Sequence, residues 1–359
     1  MASTTLAMIV VRATPSTTLP ALPSAFKTAT ATASCTTAIP GKHGFVSDPM
    51  ACNAYWSYNP SFAAAILFSV LFGLLLFTHI AEAFIYKKTY TWVLLMGVAW
   101  EFVSFCTRAA STLNQQNLTL VIVSQILLLL APLWINAFAY MTLGRLIHFF
   151  HPARRIWRIP GASVAKYFVW ADVVSFLIQG TGGSMLSPGS DASTQKLGID
   201  VYMAGVGVQE GFILLFVLLA ATFQREMGRV ERSGAGVAAG RGGWRGAVGT
   251  LYAVLVLISI RIIYRLVEYS RGSNPNNPLP FHEAYVYALD ATPMMLAVLV
   301  LAVGHPGRVL VGPESHFPSL SRKEKRAAKR AKKAEKAERK AGRREGKRGV
   351  QLEEGVFRR

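Results

Sequence analysis

Charged and amide side chains recur at helical spacing inside stretches that are otherwise apolar. Glu101 and Arg108 stand seven residues apart, as do Asp172 and Gln179. Gln209 and Glu210 are adjacent in a further stretch. Arg261, Arg265 and Glu268 follow i, i+4, i+7, and Glu283, Tyr287 and Asp290 repeat that pattern. Seven residues are close to two turns of α-helix, so the members of each set share a face. An ionisable group near the middle of a membrane helix costs roughly 2.5–3.5 kcal/mol on insertion scales. Lipid cannot solvate such stripes, so they must turn into a helical bundle. Leaving aside the terminal Glu268 and Glu283, three arginines (Arg108, Arg261, Arg265) face four acids (Glu101, Asp172, Glu210, Asp290). That near-balance favours ion pairs over a site of one sign. The chemistry on offer is binding of a charged headgroup and carriage of a proton. A cavity lined by Glu101, Asp172 and Asp290 would hold a cationic head, with Arg261 and Arg265 pairing those acids when it is empty. The bland alternative is that these groups only lock helix to helix.

The elements that must position these residues follow from composition. The chain has 359 residues, of which 52% are hydrophobic and 16% charged, with a mean hydropathy of +0.34. A soluble domain carries about 25% charged residues. The charges are also uneven, since residues 305–359 hold 18 Lys/Arg against seven Asp/Glu. Seven apolar runs of about 20 residues, the length that crosses a bilayer, fall at about Ser61–Phe84, Thr91–Ser111, Leu118–Ile147, Val164–Gly182, Ile199–Phe223, Ala247–Glu268 and Glu283–Val303. Pro132 and Pro293 lie inside the third and seventh runs and each removes a backbone donor. The expected architecture is an all-α, polytopic membrane protein, a seven-transmembrane-helix bundle. Residues 1–57, rich in Ala, Ser, Thr and Pro, read as a disordered extracellular segment. Residues 58–306 form the membrane domain and 307–359 a basic cytoplasmic tail.

Orientation follows from the cytoplasmic excess of Lys and Arg. Loop one carries Lys87 and Lys88, loop three Arg154, Arg155 and Arg158, and loop five Arg225, Arg229, Arg232, Arg241 and Arg245. The even loops have only Lys196 and Arg271. The N-terminus is therefore expected outside and the tail inside, against the anionic cytoplasmic leaflet. The sequon Asn117-Leu118-Thr119 falls on the outer side, and the stripes then converge in the outer half of the bundle. Cys35 and Cys52 precede the first span and are placed to pair on an oxidising side, while Cys106 lies inside a span.

Several classes are disfavoured. There is no phosphate-binding glycine loop, no HExxH, no GxSxG and no zinc-ligand spacing, so no catalytic residue, metal or cofactor is assigned. A tail tethered to a membrane domain is a poor nucleic-acid binder. His79 and Glu82 stand near the inner end of the first span, where a lone His reads as a satisfied interfacial residue rather than a metal ligand.

The order of several short motifs adds a resemblance. These are Tyr58-Asn59-Pro60-Ser61 with His79, then Glu101 and Arg108, Ala131-Pro132 with Ala139-Tyr140, and Gly144-Arg145. Asp172, Gln179 and Gly182-Gly183 follow, then Gly205, Gly207 and Gln209. The most specific are Arg261-x-x-Tyr264-Arg265-x-x-Glu268 and Glu283-x-x-x-Tyr287-x-x-Asp290-x-x-Pro293, ending at His305-Pro306. In order and spacing, residues 58–306 resemble the fungal lipid-translocating exporter family, the RTA-like proteins. That resemblance implies a seven-helix fungal protein, most simply of the plasma membrane, that moves or confers tolerance to amphipathic molecules. Sphingoid long-chain bases, sterol-like toxicants and porphyrins are the substrate classes it implies, and a phospholipid class falls within the same reading. The partners are then membrane lipids and amphipathic small molecules. Two readings stand beside a lipid translocase: a seven-helix receptor or lipid-stress sensor, and a porphyrin or haem transporter. A lipid-modifying enzyme within the membrane lacks a supporting ligand pair.

Overall fold

The first apolar run becomes α1, Phe62–Tyr86, because both of its ends are specified locally. Ser61 Oγ accepts the Ala64 N–H at 3.3 Å, and Lys87 stops the helix in the left-handed conformation. In the computed structural model, residues 36–48, 51, 53–186, 191–233, 243–270, 277–312, 315 and 317 are described. The helices after α1 are α2, Trp92–Leu113, and α3, Leu118–Phe150. Asn117, the sequon residue, caps α3 by accepting the Leu120 N–H at 3.3 Å. A two-residue antiparallel ladder, β1 Arg155–Ile156 with β2 Ile159–Pro160, turns the chain into α4, Gly161–Met185. There follow α5, Ala192–Arg232, and α6, Trp244–Ser270. The seventh span is composite: α7, Glu283–Val286, a π turn over Tyr287–Ala291, and α8, Thr292–Val303.

Pro293 explains the break in that span. It has no N–H to give to the carbonyl four residues back, and its ring crowds that carbonyl. The helix widens into a π turn just before it, and Thr292 Oγ1 donates to the Tyr287 carbonyl at 2.8 Å. Pro132 leaves α3 regular, since a different partner takes its orphaned carbonyl, as described below.

Seven of these segments are long and apolar enough to cross a membrane. Their outer surface agrees: Phe77, Phe84, Trp170, Leu218, Ile263 and Val303 are exposed. The interior is aromatic, with Phe72, Phe105, Phe138, Phe216 and Phe223 fully buried. Consecutive helices pack side by side, closest where side chains are missing. A Cβ on Gly144 of α3 would stand 2.5 Å from the Gly161 carbonyl of α4, and one on Gly182 of α4 would stand 2.7 Å from the Gly198 carbonyl of α5.

Three expectations need correction. The fifth helix is far longer than the run Ile199–Phe223, because polar turns extend it at both ends out of the apolar zone. The N-terminal segment is ordered over much of residues 36–57. Asn53 holds Ala38 by two hydrogen bonds, at 3.1 and 2.9 Å, and Gln116 of the second loop donates to the Gly44 carbonyl at 2.7 Å. Val46, Ala51 and Trp56 are buried. The segment has too little apolar surface to fold alone, but it gains a core by lying on the second loop. Residues 307–312, read as the start of the tail, belong to the bundle: a 3-10 turn, Pro306–Arg308, closes the seventh span and Arg308 Nε donates to Tyr86 Oη at 3.0 Å. Residues 1–35, Cys52 and the basic run 321–359 lie outside the described residues. The Cys35–Cys52 pairing and the tail's contact with the leaflet lie there too. Cys106 is a free thiol.

Candidate functional site

Several of the helical stripes meet toward the end of the bundle that carries the N-terminal segment and the even loops, while Glu101, Asp172 and Glu210 stand near the middle of their helices. Two of the networks are ionic.

The first is built on Arg108, near the end of α2. Its guanidinium is 2% exposed and reaches three elements. It donates to Glu283 Oε1 at 3.1 Å, to Tyr287 Oη at 3.2 Å and to Tyr58 Oη at 2.5 Å. Its cation also sits 4.7 Å from the centroid of the Trp56 ring. Burial raises the Tyr58 phenol above its ordinary pKa, and the neighbouring Arg108 pulls the other way. Glu283 Oε2 accepts the Ser61 N–H at 2.6 Å, so one carboxylate ties the first turn of α7 to α2 and to the start of α1.

The second network lies deeper. Asp290, fully buried in the π turn, is held by both Arg261 Nε and Arg265 Nη2 from α6. Arg265 also pairs with Glu268 at 3.0 Å, and Tyr264 Oη donates to the other oxygen of Glu268 at 3.2 Å. Arg261 Nη2 donates to the Leu128 carbonyl of α3 at 3.1 Å. That carbonyl stands four residues before Pro132, so the helix itself offers it no donor. The arginine thus repairs the gap that the proline opens. Glu101 of α2 is fully buried in the neighbourhood of Arg261, Asp290 and Arg265, yet neither carboxyl oxygen has a hydrogen-bond partner.

Two further sites are uncharged in partnership. Asp172 of α4 accepts from Asn136 Nδ2 at 3.2 Å and from Tyr140 Oη at 3.0 Å, both on α3. Gln179 of α4 donates to Gln209 Oε1 of α5 at 2.9 Å. Glu210, beside Gln209, is half-buried, with one carboxyl oxygen lacking a partner.

A cleft opens between these groups. It is narrow, with a cavity volume of about 20 Å³, room for about one water molecule, and is lined from α3, α4, α5 and α6. Its polar lining is Gln179, Tyr202, Gln209, Arg261 and Arg265, and its apolar wall includes Leu129, Leu133 and Phe176. The expected lining of Glu101, Asp172 and Asp290 needs correction. Asp290 sits behind its two arginines, Asp172 is covered by Asn136 and Tyr140, and Glu101 faces inward from α2. Glu268 pairs with Arg265, while Arg108, Glu283 and Tyr287 form their own knot nearer the surface. The expected pairing of Arg261 and Arg265 with an acid is observed at Asp290.

Sequence reasoning missed Trp56, Tyr58, Asn136, Tyr140 and Tyr202. Asn136 and Tyr140 are four residues apart on α3, a spacing that marks a polar face and was readable. Tyr58 and Tyr140 entered the sequence analysis only as parts of motifs.

The chain that builds this assembly has known relatives. A family model described as RTA1 like protein matches residues 94–312, a range that includes α2 from its third residue to the end of the bundle. The chain belongs to the RTA1-like family. It is a multi-pass membrane protein of that family. It is 44% identical over 302 residues to the probable lipid transporter atnI of Emericella nidulans, covering 82% of this chain and 78% of that protein. It is 32% identical over 215 residues to protoporphyrin uptake protein 1 of Saccharomyces cerevisiae, covering 58% and 66%. The sphingoid long-chain base transporter RSB1 of the same yeast is 22% identical over 299 residues, covering 75% and 77%. No solved structure matches the chain. The RTA1-like match spans the cleft, the Asp290 network and the Arg108 network except for Trp56, Tyr58 and Ser61.

Proposed function

We propose that this RTA1-like protein is a transporter of amphipathic lipids, with the cleft as the seat of the headgroup and the Arg261–Arg265–Asp290 network as its moving part. The observation that carries this reading is the cleft itself: a charged and amide end joined to an apolar wall, inside a bundle of membrane-length helices. The names of relatives support a lipid rather than an ion as cargo. No chemical change to the lipid is part of this reading, and no residue is assigned a catalytic role.

The seventh span supplies the freedom to move. A π turn with a proline behind it is a weak point in a helix, and Asp290 sits inside that turn. Arg261 links it to the Pro132 region of α3. A headgroup that draws an arginine away from Asp290 therefore disturbs both proline regions of the bundle together. Glu101 is the surplus acid of the group, buried with neither carboxyl oxygen hydrogen-bonded. It is the natural place for a transported proton. In this reading the N-terminal segment lies outside, the basic tail lies against the cytoplasmic leaflet, and the plasma membrane is the address.

The experiment is movement of fluorescent lipids that differ in headgroup across liposomes containing the full chain, with and without a proton gradient. Wild-type protein should move at least one class faster than empty liposomes, and Arg265→Ala should abolish it. Folded protein that moves none of the panel would sink the reading.

A further inference from the structure

The chemistry of the cleft wall selects a kind of headgroup, granted the transport reading above. Both charged groups on the wall are guanidinium groups, Arg261 and Arg265, and no carboxylate lines it. Arg265 Nε is buried and has no partner. Gln209 uses only its carbonyl, as acceptor of Gln179, and its own amide N–H groups have no partner among the described hydrogen bonds. The Gln209 amide therefore offers spare donors at the polar end of the cleft, with Arg265 Nε unpartnered but buried near it and Leu129, Leu133 and Phe176 in the apolar wall.

The two arginines also reveal the shape they grip. One places Nε and the other Nη2 on the two oxygens of a single acid, Asp290. Each guanidinium gives one N–H to one oxygen, so the two arginines together hold both oxygens of one anion, and guanidinium donors pair with carboxylate and phosphate oxygens alike. Asp290 is fully buried behind them, so a cationic head in the cleft would meet the positive side of the pair and could not reach the acid. An anionic head meets the guanidinium groups directly. We propose that the cleft binds lipids whose headgroup carries a phosphate-type anion, and that this anion takes the place of Asp290 as counter-ion to Arg265 and Arg261.

The test compares two probes with one tail, a fluorescent sphingoid long-chain base and its 1-phosphate, on the full chain in nanodiscs of neutral lipid. The 1-phosphate should bind on the order of tenfold tighter, as a charge-assisted hydrogen bond or two would give. Arg265→Gln should bring that ratio close to one. Because this change breaks a buried pair, Gln209→Leu serves as a second variant that leaves every ion pair in place, and it should lower the ratio by a smaller factor. Equal or tighter binding of the unphosphorylated base overturns the proposal, as does a preference that survives both substitutions. Inorganic phosphate should compete only weakly; competition as strong as that of the lipid phosphate would make this a free-anion site and overturn the lipid assignment. The transport reading fails separately. If neither probe crosses liposomes while the binding preference holds, the transporter is lost and the site stands. If both cross at equal rates and bind equally, the reverse is true.

Discussion

The two ends of the bundle use the same residue types in opposite ways. At the end that carries the N-terminal segment, Arg108, Arg261 and Arg265 each meet an acid on the seventh span, across the bundle interior. At the other end, Arg145 lies over the Tyr90 ring at 3.7 Å and donates to its own helix at Met141. His79 contacts Glu82 one turn along the same helix at 2.9 Å, and His305 stacks on Tyr86 at 4.6 Å between centroids. His151 and Glu226 pair at 2.7 Å where the glutamate is partly exposed. The cations named at this second end are met by rings, by backbone, by an acid on the same helix or, for His151, by a partly exposed acid on α5. Charge at the first end is settled by partners on other helices, in a place where desolvation is expensive. Neutral residues would fasten helices at lower cost, so the expensive end is where activity should be sought.

That contrast can be broken or sharpened by substitution. The largest effect is expected for Asp290→Asn, which leaves two buried guanidinium groups facing a neutral amide. Breaking a buried pair costs about 3–5 kcal/mol, to be read as a lower thermal unfolding midpoint in detergent together with loss of lipid movement. Next comes Gly182→Ala in α4, where a new methyl meets the backbone of α5. Overpacking of this kind costs about 1–3 kcal/mol, and it should shift Gln179 against Gln209 and slow transport as well as lower stability. Tyr58→Phe removes one hydrogen bond from Arg108 but leaves Glu283 and Tyr287 in place. A loss of about 0.6 kcal/mol is typical of such bonds in membrane proteins, so a small shift in midpoint is expected, with transport reduced less than by Asp290→Asn. Arg145→Gln at the opposite end should cost about 0.5–1 kcal/mol through its lost ring contact, with the transport rate unchanged. A transport defect there as large as that of Asp290→Asn would erase the difference between the ends.

How far the sequence could be read depends on which force decides each feature. The seven spans were legible to within a few residues at most ends, because hydrocarbon thickness alone sets the length of an apolar run. The ends of α5 were not, since Gln224 to Arg232 are polar and leave no hydropathy signal although they continue the helix. The stripes Arg261–Arg265–Glu268 and Glu283–Tyr287–Asp290 were legible as faces, and their mutual contact follows from the need to pair charge. Which acid meets which arginine was not legible: Asp172 is seated by Asn136 and Tyr140, and no spacing rule separates it from Asp290. The bond from Arg261 to the Leu128 carbonyl was also hidden, because it joins residues 133 apart in sequence. The N-terminal cap was misread because composition reports what a segment can bury alone, whereas Trp56 and Tyr58 reach Arg108 in the bundle.

The most direct test of the account measures lipid movement by wild type, Asp290→Asn and Arg145→Gln in parallel, in liposomes with equal amounts of folded protein. The account predicts movement by wild type and Arg145→Gln and none above background by Asp290→Asn. Equal movement by all three would contradict it and would leave the buried ion pairs at the N-terminal-segment end as helix locks only.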